Sequence, residues 1–184
     1  LSLHDALPIL DLPERTLKVG PGLSSFAQAP EGAGAALADL VAFARKEVPE
    51  EDWARTPIFL LATAGLRMLP VEDQEAILAS CRAFLHAQSP FRFKDEWARV
   101  LAGDDEGIYG WVAANYATGA LGPLSRGNAA RLLSVVELGG ASAQVTMLVP
   151  PRKPGVPLPN GGGAPAAPVV PVKVGNLDVD LFTH

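Results

Sequence analysis

A carboxylate, two adjacent glycines and two polar side chains spaced two residues apart are concentrated in Glu137-Leu138-Gly139-Gly140-Ala141-Ser142-Ala143-Gln144. Such a set suits phosphate chemistry. Glycine tolerates φ > 0 and lets the backbone approach a ligand closely, so successive N–H groups from Gly139 through Ala141 to Ser142 could ring a phosphate. The carboxylate of Glu137 beside that turn is placed to hold a metal ion that the phosphate also touches. The same residues are equally compatible with a plain β-hairpin whose glycines serve only the turn.

Two further segments carry residue types that could join this chemistry. In Gly103-Asp104-Asp105-Glu106-Gly107 three acids open a run in which Ile108, Trp111, Val112 and Tyr116 recur at helical spacing. Acids at a helix start complement its dipole, and they act either as solvated dipole partners or, for one of them, in catalysis. Thr63 stands between the apolar run Pro57-Ile58-Phe59-Leu60-Leu61-Ala62 and the helical Ala64-Gly65-Leu66-Arg67-Met68-Leu69. Its hydroxyl can cap that helix or face a ligand bound at the helix N-terminus.

The elements that must position these groups follow from hydrophobic pattern. Leu133-Ser134-Val135-Val136 before the glycines and Val145-Thr146-Met147 after them predict a strand, a tight turn and a returning strand. Pro57–Thr63 predicts a short strand covered on both faces. Leu17–Pro30 reads as a Gly/Pro/Ser loop. Leu37, Leu40, Val41, Ala44 and Val48 predict a helix over Glu31–Val48 that ends before Pro49. A second amphipathic helix spans Val71–Gln88 with Ile77, Leu78, Cys81, Phe84 and Leu85 inward, and Phe91–Leu101 reads as extended. Pro150–Pro168 is dominated by Pro, Gly and Ala, which cannot bury enough apolar surface to offset ordering entropy, so it reads as a disordered insert. Strand patterning resumes over Val169–Phe182 with a turn at Gly175-Asn176, so the insert joins two parts of one sheet. Strands and helices in this order predict an α/β lobe.

Composition bounds the function. With 184 residues, 48% hydrophobic and 19% charged, the chain is that of a globular domain with a real core. A net charge of −5 without a basic cluster argues against a nucleic-acid surface. Phosphate chemistry on such a chain would call for a metal. The single cysteine, Cys81, excludes an internal disulfide and a cysteine metal site, and reads as a small buried hydrophobe. No apolar run of about 18 residues is present to form a transmembrane helix. Leu1–Ile9 reads as the translation of a sequencing-library adapter and is set aside as a non-native segment. The natural coding sequence is therefore expected to be cut near Leu10 and to continue past His184.

Three of these segments together resemble the second, third and fourth signature motifs of the apyrase family of nucleoside triphosphate diphosphohydrolases. They are Ala62-Thr63-Ala64-Gly65-Leu66-Arg67, Gly103 to Tyr116, and Glu137 to Gln144, in the family's order. Pro21-Gly22-Leu23-Ser24-Ser25-Phe26 and Val172 to His184 are similar to segments flanking those motifs, and the whole is similar to plant-type membrane-associated apyrases. The resemblance implies the actin and sugar-kinase superfold (ribonuclease H-like), here a lobe with a mixed sheet and flanking helices, truncated at both ends. Residues 10–184 would be a partial N-terminal lobe, with the first motif upstream and a second lobe of the same protein absent.

The resemblance also implies roles. Glu106 would be the general base in metal-assisted attack of water on a terminal phosphoryl group of a nucleoside tri- or diphosphate. Ser142 and Gln144 would hold that water, their i, i+2 spacing placing both on one face of a strand. Gly139, Gly140, Ala141, Ser142 and Thr63 would contact phosphate. Glu137 and Thr63 would reach a Ca²⁺ or Mg²⁺ through its water ligands; many relatives carry Asp at the Glu137 position. Arg67 would be a structural partner for a carboxylate. A membrane anchor would lie in segments outside the chain, and the family's settings are the endomembrane (Golgi) lumen, the plasma membrane or the cell exterior. Two other readings are an exopolyphosphatase-like phosphatase of the same superfold and a nucleotide-binding module without turnover.

Overall fold

The computed structural model describes residues 15–121, 132–149, 169–175 and 177–184. The adapter-like residues 1–9 and the Pro/Gly-rich insert 150–168 lie outside them. The described residues up to Ala102 form one compact unit, and those of Gly103–His184 form another.

The first unit contains α1 (Ala38–Glu47), β1 (Leu60–Ala62), α2 (Ala64–Arg67), α3 (Val71–Gln88) and β2 (Ala98–Val100). β1 and β2 pair in parallel. Helix α3 has the bounds its spacing predicts, with Glu72 and Asp73 in its first turn complementing the dipole. It buries Ile77, Leu78, Cys81 and Leu85 against Leu37, Val41 and Leu66.

Expectation and structure differ in three places here. Within Glu31–Val48 only the second half is α-helical; Pro30–Gly32 and Ala35–Leu37 are 3-10 turns. The cause is tertiary. Gly34 is pressed so close to α3 that a methyl there would stand 2.5 Å from the Ser80 carbonyl oxygen. Its N–H donates to Ser80 Oγ at 3.0 Å, and the same hydroxyl donates to the Glu31 carbonyl. Backbone groups that an α-helix would pair internally are thus diverted to α3.

Second, the apolar run at β1 is covered on one face only. Leu60 and Ala62 pack on the core, whereas Phe59 is 50% and Leu61 44% exposed. An uninterrupted apolar run does not reveal which of its phases lacks cover. Third, Phe91–Leu101 is extended only in part. Arg92 exchanges backbone hydrogen bonds with Thr56 and Ile58, a 3-10 turn at Asp95–Trp97 follows, and β2 completes the segment. The Leu17–Pro30 loop also contains a short 3-10 turn at Leu23–Phe26.

The second unit packs α4 (Gly103–Ala117) on a four-stranded antiparallel sheet. Its strands are β3 (Val135–Leu138), β4 (Ala143–Leu148), β5 (Val169–Val174) and β6 (Leu177–Thr183), in the order β3-β4-β6-β5. Strands on both sides of residues 150–168 therefore share one sheet. At the β5–β6 turn Gly175 adopts φ +60, a left-handed conformation that favours glycine. Trp111 of α4 is fully buried with Leu121, Val179 and Leu181. Parallel pairing in one unit and antiparallel pairing in the other, with helices laid on the strands, make the chain an α/β fold with mixed pairing. Among the described residues no helix is long and apolar enough to cross a membrane.

Candidate functional site

The glycine hairpin is built from β3 and β4, which pair from Val135 opposite Thr146 to Leu138 opposite Ala143. Gly139 to Ser142 form the connecting loop, closed by the Gly139 N–H donating to the Ser142 carbonyl at 2.8 Å. The left-handed glycines among the described residues are Gly119 and Gly175, so the turn does not need Gly139 or Gly140 for φ > 0. A methyl on Gly140 would meet nothing within 4 Å. Neither a left-handed backbone conformation nor a close packing contact accounts for that glycine.

Glu137 and Gln144 are direct cross-strand partners, so their side chains are neighbours on one face of the hairpin. That face lies under α4. Ser142 sits one residue before β4, in the loop and partly buried, so strand alternation governs Gln144 and Thr146 rather than Ser142. Gln144 is 4% exposed and Thr146 1%, and Thr146 Oγ1 shares a 3.1 Å hydrogen bond with Thr183 Oγ1 of β6. Gln144 Oε1 is buried with no hydrogen-bond partner among the described residues. A buried amide oxygen left so costs about 1–3 kcal/mol unless a water or ligand group meets it.

Helix α4 can lie close because its contact positions are glycines. A methyl on Gly107 would fall 2.5 Å from Thr183 Oγ1, 2.6 Å from Thr146 Oγ1 and 3.4 Å from Gln144 Cβ. One turn on, a methyl on Gly110 would fall 3.0 Å from Glu137 Oε2. Glu106 precedes the first of these glycines in the acidic first turn of α4. The structure thus gathers Glu137, Gly139, Gly140, Ala141, Ser142 and Gln144 on one hairpin and lays the helix turn bearing Glu106 against it.

The polar and apolar phases of this hairpin are inverted relative to an ordinary half-buried sheet. The face under α4 holds Glu137, Gln144, Thr146 and Thr183 along with Val135, which packs on the Trp111 core, while Val136 and Leu138 on the opposite face are 64% and 80% exposed. Burying polar groups beneath a helix while apolar ones face outward is unfavourable as packing alone. Such departures mark functional sites. Thr146, Thr183 and the two α4 glycines were not expected as part of the site; their sequence signal was the polar phase shared by Gln144 and Thr146.

Thr63 belongs to the first unit. It occupies the N-cap position of α2 but makes no side-chain capping hydrogen bond; its carbonyl accepts from the Leu66 and Arg67 N–H groups instead. Arg67 donates to the Leu101 carbonyl at 2.8 Å, among its contacts. Among the described residues no three His, Cys, Asp or Glu side chains converge as a metal cage. A hard cation that keeps most of its waters and shares substrate phosphates needs only one or two carboxylates. Glu137 beside the open glycine loop is a donor set of that kind.

A glycine hairpin under a helix, in an α/β chain with mixed strand pairing, is consistent with the lobe that the resemblance implies. The fold matches a nucleoside triphosphate hydrolase structure from Neospora caninum with a TM-score of 0.58 at 23% identity, covering 86% of this chain and 30% of that one. Residues 4–155 match the GDA1/CD39 (nucleoside phosphatase) family, and the chain belongs to that family. It is 48% identical over 154 residues to a probable apyrase 3 of Arabidopsis thaliana, covering 79% of this chain and 30% of the relative. It is 39% identical over 142 residues to ectonucleoside triphosphate diphosphohydrolase 5 of Ailuropoda melanoleuca, covering 77% and 31%. A guanosine-diphosphatase of Schizosaccharomyces pombe is 44% identical over 127 residues, covering 69% and 22%. The chain thus spans about a third or less of the length of these relatives.

Proposed function

We propose that this chain carries the water-activating and phosphate-binding part of an enzyme that hydrolyses nucleoside tri- and diphosphates. The observation that carries the reading is the buried polar face of the hairpin, with Gln144 Oε1 lacking a hydrogen-bond partner among the described residues beneath the helix that bears Glu106. Glu106 acts as general base toward the attacking water. Gln144 and Ser142 orient that water, and the N–H groups of Gly139 to Ser142 hold phosphate oxygens. Glu137 would hold a Ca²⁺ or Mg²⁺ through its water shell, and such a cation neutralises phosphate charge when bound. The relatives named for nucleoside phosphate hydrolysis support this reading over polyphosphate hydrolysis or binding without turnover.

The test replaces Glu106 by Gln in the whole protein, keeping size and hydrogen bonding but removing the proton acceptor. Phosphate release from ATP, ADP and polyphosphate is measured with Mg²⁺ or Ca²⁺. A fall of about 10²–10⁴ in kcat is expected, equivalent to about 3–5 kcal/mol, with nucleotide affinity retained. The controls Asp104→Asn and Asp105→Asn are expected to cost little. Near-normal turnover in Glu106→Gln would remove Glu106 from the mechanism, and a collapse in Asp105→Asn instead would shift the base by one residue.

A further inference from the structure

We propose that Gly107 is the positioning residue for the base: its missing side chain lets α4 rest on the Thr146–Thr183 hydroxyl pair, and that seat sets the reach of Glu106 toward the water at Gln144. The inference rests on the reading of Glu106 given above.

The geometry is specific. Ordinary contact with a methyl begins at 3.4 Å, whereas a methyl on Gly107 would meet two hydroxyl oxygens at 2.5 and 2.6 Å. Both hydroxyls belong to fully buried threonines on neighbouring strands, held by their mutual hydrogen bond, so neither can swing aside without losing it. The relief left is for the first turn of α4 to lift by roughly 1 Å, a misplacement that costs on the order of 10²-fold when it separates reacting groups. Gly107 lies mid-helix, where glycine is disfavoured relative to alanine by about 1 kcal/mol. Helix propensity therefore argues against this glycine, and the contact with the threonines explains it. Glu106 is the adjacent residue, so it moves with the turn.

The experiment is a set of kinetic cycles in the whole protein, with thermal unfolding followed for every variant. Gly107→Ala is expected to lower kcat about 10²-fold while KM for the nucleotide changes less than about threefold. In the Glu106→Gln background the same change is expected to lower kcat by less than about threefold further, since the group it displaces is already gone. Equal losses in both backgrounds would overturn the proposal while leaving Glu106 as base. Full activity of Glu106→Gln would overturn the reading beneath it, and the two failures are thereby distinct.

Steric rescue supplies the second arm. With Thr146→Ala and Thr183→Ala combined, both oxygens that crowd residue 107 are removed. Adding Gly107→Ala to that pair is then expected to leave kcat within about threefold of the pair alone. This comparison decides the matter even if Gly107→Ala alone does not fold. A large further loss on the threonine-free background shows that the cost is not contact with the hydroxyls and overturns the proposal.

Discussion

Replacing Asn115 tests how the hairpin is held against α4. Asn115 is fully buried, and its Nδ2 donates to the Trp111 carbonyl at 2.9 Å and the Leu133 carbonyl at 3.1 Å. Its Oδ1 accepts the Leu133 N–H at 2.7 Å. The side chain thus pairs with Leu133 as a neighbouring strand would, at the entry to β3. Asn115→Ala deletes three hydrogen bonds at about 1 kcal/mol each, and water reaches part of what is left because Leu133 is 49% exposed. The expected loss is about 2–4 kcal/mol. Asn115→Asp keeps the acceptor for Leu133 N–H but turns a buried carboxylate oxygen toward two carbonyls, and is expected to cost about 1–3 kcal/mol more than Ala at neutral pH. Burial and the facing carbonyls raise the pKa of that carboxyl in the folded state above the unfolded value of about 3.9. The folded state then binds the extra proton, so stability falls as pH rises through the interval between the two values and recovers on acidification. Urea unfolding at neutral pH and at about pH 5 measures both effects, with the slope checked for constancy. Asp equal to Asn at neutral pH, or Ala costing under about 0.5 kcal/mol, would refute the clamp.

Two further outcomes follow from local geometry. Gly140→Ala is expected to leave unfolding free energy within about 0.5 kcal/mol, since its methyl meets nothing, yet, on the proposed phosphate contact, to raise KM for nucleotide about tenfold or more; unchanged KM would remove Gly140 from the phosphate site. Burial pushes the Cys81 thiol up from 9.0 to about 11, against a smaller opposing pull from the Arg82 guanidinium. The unfolded chain loses that proton first, so stability should decline between about pH 9 and 11, a component that Cys81→Ala removes and that paired unfolding curves would detect.

What could be read from the residues themselves divides along a physical line. Helix α3 and the β3–β4 hairpin were legible because their patterns are local: apolar positions at helical steps in one, and two glycines between β-branched runs in the other. The late start of α1 was not legible, because Gly34 gives up helical pairing for contacts with Ser80, 46 residues away. The one-sided cover of β1 was not legible either, since Phe59 and Leu61 look as apolar as Leu60. In the site, Glu106 could be separated from Asp104 and Asp105 only by family motif, because all three suit a helix start. Gly107 and Gly110 carry no signal of their own in the sequence; only the structure shows their close approach to the threonine pair and to Glu137.

The inverted hairpin needs something to keep it from slipping. Moving a strand by one residue exchanges its two faces, and here the exchange would bury Val136, Leu138 and Met147 and release Val135, Glu137, Gln144, Thr146 and Leu148. Within the described residues that exchange would trade polar contacts under α4 for apolar ones, so the register must be held from outside the polar segment. Two devices do so. At the far end of the sheet alternation is normal: Leu148, Val179 and Leu181 face the core with Trp111, and β4 pairs Leu148 with Leu181. At the entry to β3, Asn115 fixes Leu133. The apolar half of the sheet and the asparagine clamp therefore hold the polar half in a register it would not choose alone, and the Thr146–Thr183 hydrogen bond offsets part of the cost. The Gln144 amide oxygen is left without a hydrogen-bond partner among the described residues, and part of the cost of this register falls there.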